Sequence, residues 1–150
     1  MTDNPAFGHL VALNYSTPNI AKSILGKAWT VCEASDGCRF ITSDAPVVTM
    51  KIAGGNRVYS GYGFAQVDTA VFLPISPTQI FIAGPQNILW EKIQDSNNVD
   101  LLNKAIANFA DKSVYSDICS EETQALVNSE LGVTKFGDDA FKVTDPHVAI

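Results

Sequence analysis

Three oxygen-bearing side chains in a row, Thr42-Ser43-Asp44, separate the apolar pair Phe40-Ile41 from Ala45-Pro46 and two valines. These residue types could support hydrolysis. Asp44 would act as an acid/base or a metal ligand, Thr42 or Ser43 as hydrogen-bond donors, and Arg39 as a nearby cation. Adjacency alone does not make Ser43 and Asp44 a dyad, because neighbours along a strand point to opposite faces. A serine nucleophile also needs a base within reach. The two histidines, His9 and His147, lie close to opposite ends of the chain, and no Gly-x-Ser-x-Gly elbow occurs. The same residues make a good turn. Asp and Ser side chains bond nearby backbone N–H groups, and Pro46 holds Ala45 extended. Turn chemistry accounts for the composition without catalysis and is the preferred reading of the segment.

Other chemistry is sparse. A structural metal site needs about four organised N or S ligands; no Cys-x-x-Cys or His-Glu-x-x-His is present, so no metal and no cofactor is expected. Cys119 precedes a predicted helix, where the helix dipole can activate a thiol. A buried structural cysteine is the preferred reading there. The stretch Ala53–Gly63 holds four glycines without Walker or Gly-x-Gly-x-x-Gly spacing. It reads as an irregular loop or distorted hairpin. The wider loop, residues 54–68, supplies the candidate contacts for a partner: the cation Arg57 and the aromatic residues Tyr59, Tyr62 and Phe64.

Elements must position these residues. The 150 residues are 46% hydrophobic and 17% charged, which suits one folded domain over 1–150 rather than a disordered chain. A formal charge of −6 disfavours nucleic acid as a partner. No apolar run reaches the roughly 18 residues of a membrane span. Three cysteines, and an N-terminus without a basic segment leading an apolar core, fit a cytoplasmic protein with free thiols.

Along the chain, Thr17 and Pro18 predict the cap and first position of a short helix ending at Gly26. Asp36-Gly37 predicts a two-residue hairpin pairing Ser35 with Cys38, Glu33 with Phe40, Cys32 with Ile41 and Val31 with Thr42. In that register Cys32 and Cys38 point to opposite sides of a sheet covered on both faces, so they form no disulfide. Strands are predicted at Val47–Ile52, Thr69–Leu73 and Gln79–Ala83, the last two joined across Pro74 and Pro77. Val99, Leu102, Ile106 and Phe109 mark an amphipathic helix. Ser113–Ser116 reads as a short strand. Ser120, Glu121-Glu122 and Gly132 bound a second helix. A further strand is placed around Lys142–Thr144. The fold class is α+β: a mainly antiparallel sheet of five or six strands, two C-terminal helices and one short N-terminal helix.

The order of four pieces is distinctive. A Trp29 strand is followed by Phe40-Ile-Thr-Ser-Asp-Ala-Pro46, then Leu73-Pro-Ile-Ser-Pro77, then an Asn103-bearing helix leading into Val114-Tyr-Ser116. This order resembles the bacterial and phage proteins grouped as domain of unknown function 4238, over Trp29–Leu131. The resemblance implies this fold and no defined activity. Family members carry a longer, largely helical N-terminal half, here reduced to one short helix. They often have Asn where this chain has Ala45.

Two functions follow as expectations. The first is a non-catalytic protein-interaction module with a protein partner, in a setting of phage–host conflict that comes from the resemblance alone. The second is a hydrolytic or ligand-binding domain centred on Thr42-Ser43-Asp44.

Overall fold

The computed structural model describes residues 5–53, 56–59, 63–86 and 96–132. In chain order the elements are α1 (Pro5–Leu25), β1 (Ala28–Glu33), β2 (Thr42–Ser43), β3 (Val48–Ala53), β4 (Asn56–Tyr59), β5 (Thr69–Ser76), β6 (Gln79–Gly84), α2 (Ser96–Phe109), β7 (Val114–Tyr115) and α3 (Glu121–Glu130). Five strands form one antiparallel sheet in the order β1-β6-β5-β3-β4, and β2 pairs with β7 in a separate ribbon. The architecture is α+β, as the patterning predicts.

Alternation decides which side of the sheet is covered. Cys32, Val48, Met50, Ala70, Phe72, Ile80 and Ile82 are buried together with Val99, Leu102, Ala105, Ile106 and Phe109 of α2. The four positions predicted for the amphipathic face of α2 are all in this core. Each large side chain buried here contributes about 1.5–3 kcal/mol relative to exposure.

β5 runs on through Pro74 to Ser76, so the turn is only Pro77-Thr78. Pro74 is tolerated because it lies beyond the last β3 pair, Val48 with Phe72, and beside a bulge between Pro74 and Ser76. Asn56–Tyr59 is a strand paired antiparallel with β3, which fits the distorted hairpin of the two alternatives rather than the irregular loop. α3 has the predicted cap: the Ser120 side chain accepts from the Thr123 N–H. Gly132, at φ +63, takes the left-handed conformation that ends this helix. The expected strand around Lys142–Thr144 lies outside the described residues.

Three expectations are corrected. α1 is long and passes through Pro18, so Thr17 is no cap. An interior proline costs about 3 kcal/mol, but residues 14–19 are all exposed, so a carbonyl freed by Pro18 can bond water. Second, Asp36-Gly37 does make its turn, with Cys38 N donating to Ser35 O at 2.9 Å and Gly37 at φ +84. The two arms then part: β1 pairs with β6, while Phe40 N donates to Pro77 O and Thr42 pairs with Tyr115. Third, among the described residues β1 is a sheet edge rather than a covered strand, with Trp29 55% and Val31 51% exposed.

The arms part because a helix offers residues 39–41 a better partner than β1. Asn103 of α2, 8% exposed, donates from Nδ2 to Arg39 O at 2.8 Å and accepts from Ile41 N at Oδ1, at 3.0 Å. One amide thus supplies the donor and acceptor that a neighbouring strand would supply. Phe40 and Ile41 on either side of the fork are buried.

Replacing Asn103 by Ala leaves an N–H and a carbonyl without partners in or beside the core. A loss of about 2–4 kcal/mol is expected in urea unfolding. Asn103→Asp, the same size but without a donor, is expected to be at least as damaging at neutral pH and partly relieved in acid.

Candidate functional site

The Thr42-Ser43-Asp44 segment is where the β2–β7 ribbon leaves the core. Pairing Thr42 with Tyr115 and Ser43 with Val114 sets the facing of each side chain. Ser43 turns inward and is buried; its Oγ accepts from Ala45 N at 3.2 Å. Thr42 turns outward and is half-buried.

Asp44 grips the connection that follows α2. Its Oδ1 accepts from Asp111 N at 2.9 Å and its Oδ2 from Lys112 N at 2.8 Å. Its own N–H donates to Ser113 O at 3.1 Å. Residues 111–113 are therefore held by backbone bonds alone, which any sequence there could make. Partial desolvation pulls the Asp44 pKa upward. The backbone hydrogen bonds of Asp111, Lys112, Ser113 and Asp44 itself outweigh it, and the carboxyl is held below its ordinary value. A carboxylate with a lowered pKa and both oxygens engaged is a weak proton acceptor. Among the described residues, Ser43 has no histidine or lysine as a hydrogen-bond partner.

The concave surface lies beside this clamp, on the outer side of the ribbon. A cleft of about 210 Å³ is lined by Phe40, Ile41 and Thr42, by Pro74–Pro77 and by Tyr115–Asp117. Three segments far apart in the sequence meet here. The Phe40 N–H bond to Pro77 O, 2.7 Å, fastens the first to the second, and the β2–β7 pairing fastens the first to the third. Phe40 and Ile41 form a buried floor, while Ile75 and Tyr115 are more than half exposed at the rim. The bulge in β5 is what lifts Ile75 out of the strand alternation. Arg39 Nε and Asp117 Oδ2 form a half-exposed ion pair at 3.5 Å. The hydroxyl of Ser116 donates to Ile118 O at 2.9 Å, and that of Ser76 accepts from Thr78 N at 3.2 Å.

Of the candidate site residues named from the sequence, only Thr42 lines this cleft. Arg39 reaches it through Asp117. Arg57 and Tyr59 occupy β4 positions opposite Ile52 and Met50 at the far edge of the main sheet. Phe64 is half-buried in the turn before β5, and Tyr62 lies outside the described residues. Cys119 is exposed, which overturns its reading as a buried cysteine: it precedes α3, a helix with no fully buried residue. Among the described residues, no three His, Cys, Asp or Glu side chains gather as they would to hold a metal ion. Ile75, Pro77, Tyr115 and Asp117 were not read as a site. For the first three the signal lay in two motifs, Leu73–Pro77 and Val114–Ser116, taken only as marks of fold; Asp117 lies just past the second.

Compared with protein families, the chain matches the model described as "Protein of unknown function (DUF4238)" over residues 6–119. The match begins ahead of Trp29, so it takes in α1, and it ends before α3. No curated protein and no solved structure matches the chain.

The Asp44 clamp predicts a pH dependence. The folded pKa lies below the ordinary 3.8, so the clamp stabilises fully above the unfolded value and is lost as pH falls through the folded one. Asp44→Ala is expected to lower the melting temperature at pH 7, and Asp44→Asn to lower it less, since one acceptor oxygen remains. Melting curves of wild type and Asp44→Asn should converge as pH drops below the carboxylate range. A gap that stays constant with pH would show that the carboxylate's charge contributes nothing.

Proposed function

The chain belongs to the DUF4238 family, and on that premise we propose that it is a non-catalytic protein-interaction module whose contact surface is the cleft between the β2–β7 ribbon and the tip of the β5–β6 hairpin. One observation carries the reading: exposed Ile75, Pro77 and Tyr115 stand on the rim beside polar Ser116 and Asp117, around an apolar floor of Phe40 and Ile41. Size supports it. Small-molecule sites usually enclose about 300–1,000 Å³, and this cleft holds about 210 Å³. It suits one anchoring side chain of a partner, with Tyr115 as a rigid contact of its own.

The alternative, a hydrolytic centre on Thr42-Ser43-Asp44, has less support. Asp44 is engaged by backbone N–H groups and Ser43 is turned inward. The compartment that fits the interaction reading is the cytoplasm, since none of Cys32, Cys38 and Cys119 is in a disulfide. No helix among the described residues is long and apolar enough to cross a membrane.

The test is a tagged pull-down from bacterial lysate, with wild type, Tyr115→Ala and Ile75→Asp run in parallel, and exposed Asp36→Ala as control. A stoichiometric partner retained by wild type and the control and lost from both cleft variants, with unchanged melting curves, is the expected outcome. Absence of any stoichiometric partner, or its retention by both cleft variants, overturns the proposal.

A further inference from the structure

The outer edge of β1 offers a second kind of recognition chemistry, independent of the cleft. Among the described residues β1 pairs only with β6. A terminal strand presents a row of N–H and C=O groups to any further strand, and proteins usually blunt such an edge with Pro, Lys, a bulge or very short length. β1 carries none of these. Its six residues, Ala-Trp-Thr-Val-Cys-Glu, run in unbroken register from Ala28 opposite Gly84 to Glu33 opposite Gln79. On the face away from α2, Trp29 and Val31 are both more than half exposed. They stay so although the Trp29 ring meets Phe81 edge-on at 5.5 Å and its indole N–H donates to Ile24 O at 2.9 Å. These contacts fix the indole in place, so little side-chain freedom is left to lose on binding.

We propose that this edge pairs antiparallel with β1 of a second copy of the chain, about a two-fold axis through Thr30. Directly opposed residues in an antiparallel pair share a face, so only registers centred on a residue keep the two buried faces together. Centring on Thr30 sets Trp29 against Val31 of the second copy and Lys27 against Glu33 of the second copy, each twice. These are aromatic to β-branched and opposite-charge pairings, both favourable. Centring on Val31 would set the indole against Glu33 instead. Lys27 contributes its charge rather than a direct bond, because its ammonium already donates to Gln66 O and Thr69 O at 2.8 Å each. This complementarity of a strand with its own reverse is what selects a second copy over an unrelated strand. Pairing would join two five-stranded sheets into one and continue the Trp29–Val31 stripe across the junction.

Sedimentation equilibrium of the full chain from micromolar to millimolar concentration tests the proposal. A doubling of mass is expected. Val31→Lys should weaken dimerisation about tenfold or more, from two disrupted cross-strand pairs, while the melting temperature of the dilute monomer stays unchanged. The register has its own readout in a Cys119→Ser background. Mixed Trp29→Cys and Val31→Cys chains are expected to form a disulfide with each other on oxidation, and neither with itself. A monomeric mass at every concentration, a dimer indifferent to Val31→Lys, or self-linking of Val31→Cys each overturns the proposal.

Discussion

The side-chain amide of Asn103 is the joint on which the two halves of this structure meet. Where the chain leaves β1, Phe40 N finds Pro77 O, but Arg39 O and Ile41 N have no strand partner, and a buried peptide group left unpaired is costly. The amide answers both at once, one N–H donated to Arg39 O and one accepted from Ile41 N. Because Asn103 stands on α2, the exit of the chain from β1 is tied to the helix that covers the sheet. Everything beyond it, the β2–β7 ribbon and the cleft on its outer side, inherits its position from that one fork.

Two ionised side chains then repeat the same device with opposite charge. Asp44 accepts two backbone N–H groups after α2, and Lys27 donates to two backbone carbonyls ahead of and within β5. Each stitches a connecting segment to a strand end more than thirty-five residues away in sequence. Burial lowers the Lys27 pKa, partly countered by the nearby charge of Asp68. In both cases the charge is engaged with fixed peptide dipoles. This explains how a segment with the composition of a catalytic site can be a structural clamp. The oxygens that would hold a proton or a metal are already bonded.

Much of the fold was legible because it is local. The spacing of Val99, Leu102, Ile106 and Phe109 reported a helix face, and Ser120 reported a cap. Asp36-Gly37 reported a turn that does form. What the turn could not report was the partner of its second arm. That choice was made by Asn103, more than sixty residues away. The cleft was illegible for the same reason, since it needs the bulge at Ile75, the bond from Phe40 to Pro77 and the pairing of Thr42 with Tyr115. Asp44 was read as a turn residue bonding nearby backbone, but its carboxylate bonds run to Asp111 and Lys112 rather than to its own neighbours. The exposure of Cys119 followed from how loosely α3 lies on the core, which the Ser120 cap does not encode.

The strand order β1-β6-β5-β3-β4 also sets a sequence in time. β5 and β6 are joined by two residues, and β3 reaches β5 across a short stretch. β1 must wait for β6, with Cys32 meeting Ile80 across a long intervening loop. Closing the long loop costs more chain entropy before its contacts reward it. The central hairpin is therefore the natural nucleus, and β1 the last strand added to the main sheet. Weakening β1 would then hasten unfolding more than it slows folding. While its place is vacant, β6 is the strand with an open edge, and a chain newly made or briefly opened would be most prone to mispair there.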